Sequence, residues 1–152
     1  MARLASGVSV VTTRNTTGSP IGITVSSLTS LSLEPNLILL CVADTSLSFS
    51  AFVESHRVGV SVLGEHQNEV ALRYATAGGL KFADGDSFPG AATGVPLIHG
   101  AIAHLECYTH EVTFAGDHAI LIGRVVHTAW NERAPMVSFG RQLGGFRAAG
   151  DD

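Results

Sequence analysis

The stretch Gly22-Ile-Thr-Val-Ser-Ser-Leu-Thr-Ser-Leu-Ser-Leu-Glu-Pro35 decides how the rest of the chain is read. It holds two short β-like runs rich in hydroxyl side chains, with no acid or base before Glu34. Leu28 to Leu33 interleaves leucine with serine or threonine and reads as a half-buried strand. Pro35 ends that strand, because proline has no N–H to give to a ladder. Hydroxyls and main-chain amides suit a planar, polar ligand. They are poorly equipped for proton transfer by side chains, so the chemistry is expected from a bound cofactor.

Working outward, Val8 to Thr13 is β-branched and Asn15-Thr-Thr-Gly18-Ser-Pro20 is turn chemistry, so Val8–Thr13 and Ile21–Val25 read as a hairpin. Leu37 to Val42 is uniformly apolar and reads as a strand buried on both faces. Ser46 to Ser55 reads as a helix capped by Ser46, with Leu47, Phe49, Phe52 and Val53 near helical spacing. Arg57–Leu63 alternates as a strand, Glu65–Ala75 reads as a second helix, and Gly78–Gly94 as a long loop. Two long strands, Ala101–Thr113 and His118–Trp130, flank the turn Ala115-Gly-Asp117. Pro135–Phe139 is a short last strand, and Gly144–Asp152 reads as a fraying tail. About seven strands, joined mainly by hairpins around two short helices, predict a mainly β protein: an antiparallel barrel with helical insertions.

A length of 152 residues predicts one domain, and 45% hydrophobic residues supply a core. Only 14% are charged, which points to surface covered by a second copy. The net charge of -4 argues against nucleic-acid binding. The longest apolar run, Leu37–Ala43, is far too short to span a bilayer, and no cleavage-like pattern follows the N-terminus, so a cytoplasmic protein is expected. Cys41 and Cys107 sit in apolar runs and read as buried free thiols. Lys81 is the only lysine among nine cationic residues, a bias that composition alone accounts for.

Phosphate-loop, dinucleotide and nucleophile-elbow motifs are absent from the sequence. Asp84-Gly85-Asp86 reads as a solvated loop. His104, Glu106 and His110 share one strand face, but His104 and His110 would lie about 20 Å apart, so no metal site is expected. That face reads as a polar exterior or a dimer contact. Gly116-Asp117-His118 is sharper: the imidazole stands at a strand start after a tight turn. It can meet a ligand phosphate or carbonyl, or shuttle a proton, or simply be an exposed histidine beside a turn. Thr45, Ser46 and Ser48 at a helix start form either an anion site or ordinary caps. Arg73 on the second helix is the nearby candidate for charge compensation, or else part of a solvated face.

Taken in order, Gly7-Val-Ser-Val-Val-Thr-Thr13, the Gly22–Pro35 run, Leu37-Ile-Leu-Leu-Cys41 and Gly116-Asp-His118 resemble the flavin reductase-like, FMN-binding split-barrel family, from about Leu4 to Gly144. The family includes the small reductase components of two-component flavin-dependent monooxygenases. The resemblance implies a homodimeric, six-stranded split β-barrel that binds FMN or FAD. It implies hydride transfer from NADH or NADPH to flavin, with reduced flavin passing to a monooxygenase. By position, Pro20, Gly22, Ile23, Thr24 and Val25, with Ser26 and Ser27, would line the flavin ring and ribityl chain. Cys41, Val42, Ala43, Thr45, Ser46 and Ser48 would wrap the ribityl and phosphate, with Ala75, Thr76 and Arg73 at the phosphate end. His118, as the catalytic contact, and Ser138, Phe139, Gly140 and Arg141 would meet the nicotinamide nucleotide. The sequence departs from the family at 138–141, and only Met1–Ser6 stand where a longer N-terminal helix is usual. A flavin carrier or sensor without turnover is the alternative, since fold does not fix function.

Overall fold

A computed structural model describes residues 2–150. Its strands are β1 (Ser6–Gly7), β2 (Ser9–Arg14), β3 (Pro20–Val25), β4 (Thr29–Leu33), β5 (Asn36–Ala43), β6 (Arg57–Val62), β7 (Ser87–Pro89), β8 (Pro96–Ile98), β9 (Ala103–Ala115), β10 (His118–Trp130), β11 (Met136–Phe139) and β12 (Gln142–Gly145). Two short helices interrupt them, α1 (Phe49–Glu54) and α2 (Asn68–Ala75). The fold is mainly β, as the alternating patterns require.

The main sheet runs β3-β2-β6-β9-β10-β5-β4 with every neighbour antiparallel. Its outer strands, β3 and β4, share no ladder, so hydrogen bonding does not close the sheet on itself. A single side chain bridges the gap between β3 and β5. Ser27 Oγ accepts the Cys41 N–H at 3.0 Å and donates to the Cys41 carbonyl at 3.3 Å.

Strand β2 is buried on both faces, and β5 is not. Val11 joins one apolar cluster with Leu40, Phe52, Val60, Cys107 and Leu121, while Val8 and Val10 join another with Leu63, Tyr74, Ile98 and Met136. Alternation along a strand sends neighbours to opposite faces, so a strand can feed two cores only where both are covered. On β5, Ile38, Leu40 and Val42 are buried, whereas Leu37, Leu39 and Cys41 are half-exposed. An unbroken apolar run cannot distinguish these cases, because it fits both.

Glu106 also departs from expectation. Its predicted polar exterior is a buried position, 1% exposed. The carboxylate accepts the Ala92 N–H at 3.0 Å, the Thr93 N–H at 2.6 Å and the Thr93 hydroxyl at 2.8 Å. Burial pushes this carboxyl up, but the hydrogen bonds from Thr93 and Ala92, with His127 nearby, outweigh it and hold the group below its ordinary range. Cys107, on the opposite face of β9, is a free thiol whose pKa burial, aided by the Glu106 charge, raises to about 12, so it is inert packing.

Gly78–Gly94 is not loop throughout, since β7 lies within it and pairs with β8. The supposed fraying tail begins as structure: Gly144 and Gly145 pair with Val137 and Met136, and Arg147 ion-pairs with Glu65. Asp151 and Asp152 lie outside the described residues. The β11–β12 turn passes through left-handed backbone at Gly140 (φ 61°) and Arg141 (φ 65°). Helix α1 is shorter than expected, with Ser48 at its N-cap position and no side-chain capping hydrogen bond; Ser46 Oγ accepts the Ser48 N–H at 3.2 Å.

Candidate active site

A cleft of about 810 Å³ opens between β3, the end of β5 and the chain after α2. Pro20–Ser27 form one wall, and Cys41–Ala43 with Thr45–Ser48 form the other. Ala75 and Thr76 close the helix end, and His118 stands at the rim. Sixteen of the residues singled out from the sequence are thus brought together. The wall exists because β3 is a sheet edge: its outer main-chain groups have no strand partner.

The hydroxyls divide into two kinds. Thr24 Oγ1 donates to the Ala71 carbonyl at 2.7 Å, tying β3 to α2, and Ser27 ties β3 to β5. These two hold the walls and spend their hydroxyl protons there, leaving only acceptor lone pairs for a ligand. Ser26, Thr45 and Ser48 carry no side-chain hydrogen bond among the described residues and remain available.

Arg73 is not in the cleft. Its guanidinium forms an ion pair with Asp86, which also accepts the Ala83 N–H. Ser138–Arg141 lie on β11 and its turn, in the separate β1-β11-β12 sheet, and do not line this cleft. Ser138 pairs with Ser6, and the Arg3 guanidinium lies 5.8 Å from the Phe139 ring centre.

The sequence reading missed Tyr74 and the chain from Ala77 to Phe82, all of which line the cleft. Lys81 matters most. Its Nζ donates to the Gly22 carbonyl at 3.1 Å and the Tyr74 carbonyl at 3.2 Å, and partial burial lowers its pKa. Phe82 stacks edge-on against Tyr74, their ring centres 5.2 Å apart. These contacts press the loop onto Gly22, where an added Cβ would lie 2.8 Å from the Tyr74 ring. The lone lysine was the available signal. Lys81→Met should release this loop and weaken ligand binding in the cleft roughly tenfold, read by fluorescence titration; unchanged affinity would remove Lys81 from the site.

At the rim, His118 Nδ1 lies 2.7 Å from Asp117 Oδ1. The His118 hydrogen bond holds the Asp117 carboxyl below its usual range, so near neutral pH Asp117 is an acceptor only. Nδ1 therefore carries the proton, and Nε2 is the nitrogen left for a ligand. The Asp44 N–H donates to the Asp117 carbonyl at 2.9 Å, fixing this turn to the end of β5. Among the described residues no carboxylate lines the cleft. No metal-binding group of His, Cys, Asp and Glu occurs among the described residues.

A hydroxyl-edged cleft on an open β-sheet, whose one lysine is spent on main-chain carbonyls and which carries one oriented imidazole, defines a protein that positions a cofactor instead of supplying acids and bases. The chain belongs to the flavin reductase like domain family, whose pattern it matches over residues 1–147. It is 41% identical over 145 residues to the NADH:riboflavin 5'-phosphate oxidoreductase of Streptomyces pristinaespiralis, covering 94% of this chain and 82% of that protein. It is 44% identical over 125 residues to the actinorhodin polyketide dimerase of Streptomyces coelicolor, covering 82% and 70%. Among solved structures, the Streptomyces globisporus C-1027 NADH:FAD oxidoreductase SgcE6, in complex with NAD and FAD fragments, superposes with a TM-score of 0.91 at 34% identity, covering 99% of this chain and 90% of that one.

Proposed function

We propose that the protein is an NAD(P)H:flavin oxidoreductase that reduces FMN or FAD and releases it to a flavin-dependent monooxygenase. The observation carrying this reading is the cleft of about 810 Å³ bounded by an open strand edge and uncharged hydroxyls. These residues fit a flavin. The outward main chain of β3 matches the polar edge of a planar ring, and Ser26, Thr45 and Ser48 match a polyhydroxyl chain. A bound flavin supplies the hydride-accepting ring, so the protein need only position two rings and exclude competing geometries. Pro20–Ser27 would hold the ring, Thr45–Ser48 with Ala75 and Thr76 the ribityl phosphate, and His118 Nε2 would orient the nicotinamide. Weak, uncharged contacts suit a flavin that must leave after reduction.

The finer architecture belongs to the same reading. Strands β3, β2, β6, β9, β10 and β5 would form the six-stranded split barrel, with the split bridged by Ser27 and Cys41. We read residues 4–144 as the core of one domain. A homodimer would cover the half-open face of β5 and exposed residues such as Phe114 and Trp130. Ser138–Arg141 would then reach a nicotinamide from the second copy, so this contact and the dimer stand or fall together.

NADH and NADPH oxidation, followed with added FMN and FAD, tests the reading. Turnover dependent on added flavin is expected. Flavin binding without oxidation would make the protein a carrier, and binding of neither flavin would sink both readings. Sedimentation at working concentration tests the dimer, with a monomer overturning it. Among the described residues no helix is long and apolar enough to cross a membrane.

A further inference from the structure

A second cavity, of about 370 Å³, shares no residue with the cleft. It lies between the β2–β3 turn, the end of α1 and the Thr93–Val95 chain. Two arginines line it. Arg57 Nη1 donates to the Thr93 carbonyl at 3.0 Å; Arg14 donates through Nη1 to the Gly18 carbonyl at 3.0 Å and through Nε to the Gly94 carbonyl at 3.4 Å. Every acceptor is a neutral carbonyl. The ion pairs among the described residues are Arg73–Asp86, His118–Asp117 and Arg147–Glu65, so neither guanidinium here meets a carboxylate. Glu54 lines the same cavity beyond ion-pair reach, leaving two fixed positive charges against one negative. Each guanidinium keeps N–H donors unspent.

The walls are built, not loose. The buried Glu106 carboxylate clamps Thr93 through its N–H and its hydroxyl. Gly94 turns the chain at φ +73°, and the Gly90 N–H donates to the Val95 carbonyl at 2.8 Å. On the opposite side, Thr13 Oγ1 donates to the Arg57 carbonyl at 2.8 Å, and Thr109 Oγ1 to the Ser55 carbonyl at 2.8 Å. Ala51 and Val95 supply apolar floor. The volume lies in the range of small-molecule sites, and guanidinium forks pair with oxyanions.

We infer that this cavity is a second binding site, for a small organic anion whose phosphate or carboxylate meets Arg14 and Arg57 while its apolar body rests on Ala51 and Val95. The assignment does not depend on what the main cleft binds. The oxyanion can belong to a nucleotide monophosphate or to an aromatic carboxylate, and 5′-AMP and benzoate distinguish the two.

Each is titrated calorimetrically into the full chain, with and without FMN. Saturable binding of at least one is expected, unchanged by FMN. It should weaken roughly tenfold in Arg57→Gln and vanish in the Arg14→Gln/Arg57→Gln double variant, with FMN affinity retained. Glu54→Gln, an exposed change that leaves the arginines intact, should tighten it about twofold to threefold. Absence of saturable binding of both probes, displacement by FMN, or binding unchanged in the arginine variants and in Glu54→Gln would overturn the assignment.

Discussion

His118→Ala should slow flavin-dependent NADH oxidation about 10²-fold while changing flavin affinity less than about threefold, because a reacting ring misplaced by an ångström loses that much rate. The imidazole is at the rim, whereas the walls proposed to hold the flavin are main chain and hydroxyls, so removing it should spare flavin binding. Asp117→Asn gives a sharper check. It removes the ionised acceptor that fixes the proton on Nδ1, so the rate should fall roughly tenfold and its pH profile should change shape. Stopped-flow reduction at saturating flavin separates these effects from binding. Equal losses in rate and flavin affinity for His118→Ala would make His118 a flavin contact instead.

Glu106→Ala is the second large effect expected. Truncation orphans the Ala92 and Thr93 N–H groups and the Thr93 hydroxyl in a buried pocket and leaves a void, costing about 3–5 kcal/mol. Urea unfolding should show this as a lower midpoint at similar slope. Glu106→Gln keeps one acceptor and should cost less, about 1–3 kcal/mol. A Glu106→Ala protein as stable as the parent would show that the clamp contributes nothing.

The same carboxylate sets an acid limit. Its folded pKa is depressed below the unfolded value of about 4.5, so the folded state binds fewer protons there. Its contribution is full above the unfolded pKa and is lost as pH falls through the folded one. Below about pH 4.5 the parent should lose stability faster with falling pH than Glu106→Gln, which has no proton to gain at that position. Parallel stability profiles over that range would contradict this.

Much of the site was legible because it is local. The Gly22–Pro35 run, the segment after β5 and Gly116-Asp-His118 each carry their own strand, turn and hydroxyl signals, and these segments do meet. Arg73 and Lys81 were exchanged in importance for a reason that no local pattern holds. Asp86, thirteen residues from Arg73, captures its guanidinium, while Lys81 folds back fifty-nine residues to the Gly22 carbonyl. Thr24 and Ser27 kept their place in the cleft, but their hydroxyl protons go to partners from α2 and β5.

By itself the sequence determined the strand-rich class, the two long strands about Asp117, the hydroxyl-rich wall and the absence of acids from it. Those follow from period-two alternation, turn chemistry and residue type, which act within a few neighbours. Only the tertiary structure decided that β2 and not β5 is buried on both faces, that Arg73 is ion-paired, that Glu106 is a buried clamp, and that Arg14 and Arg57 share a cavity. Burial and charge pairing depend on groups brought together from distant parts of the chain, and a linear pattern that fits two environments cannot choose between them.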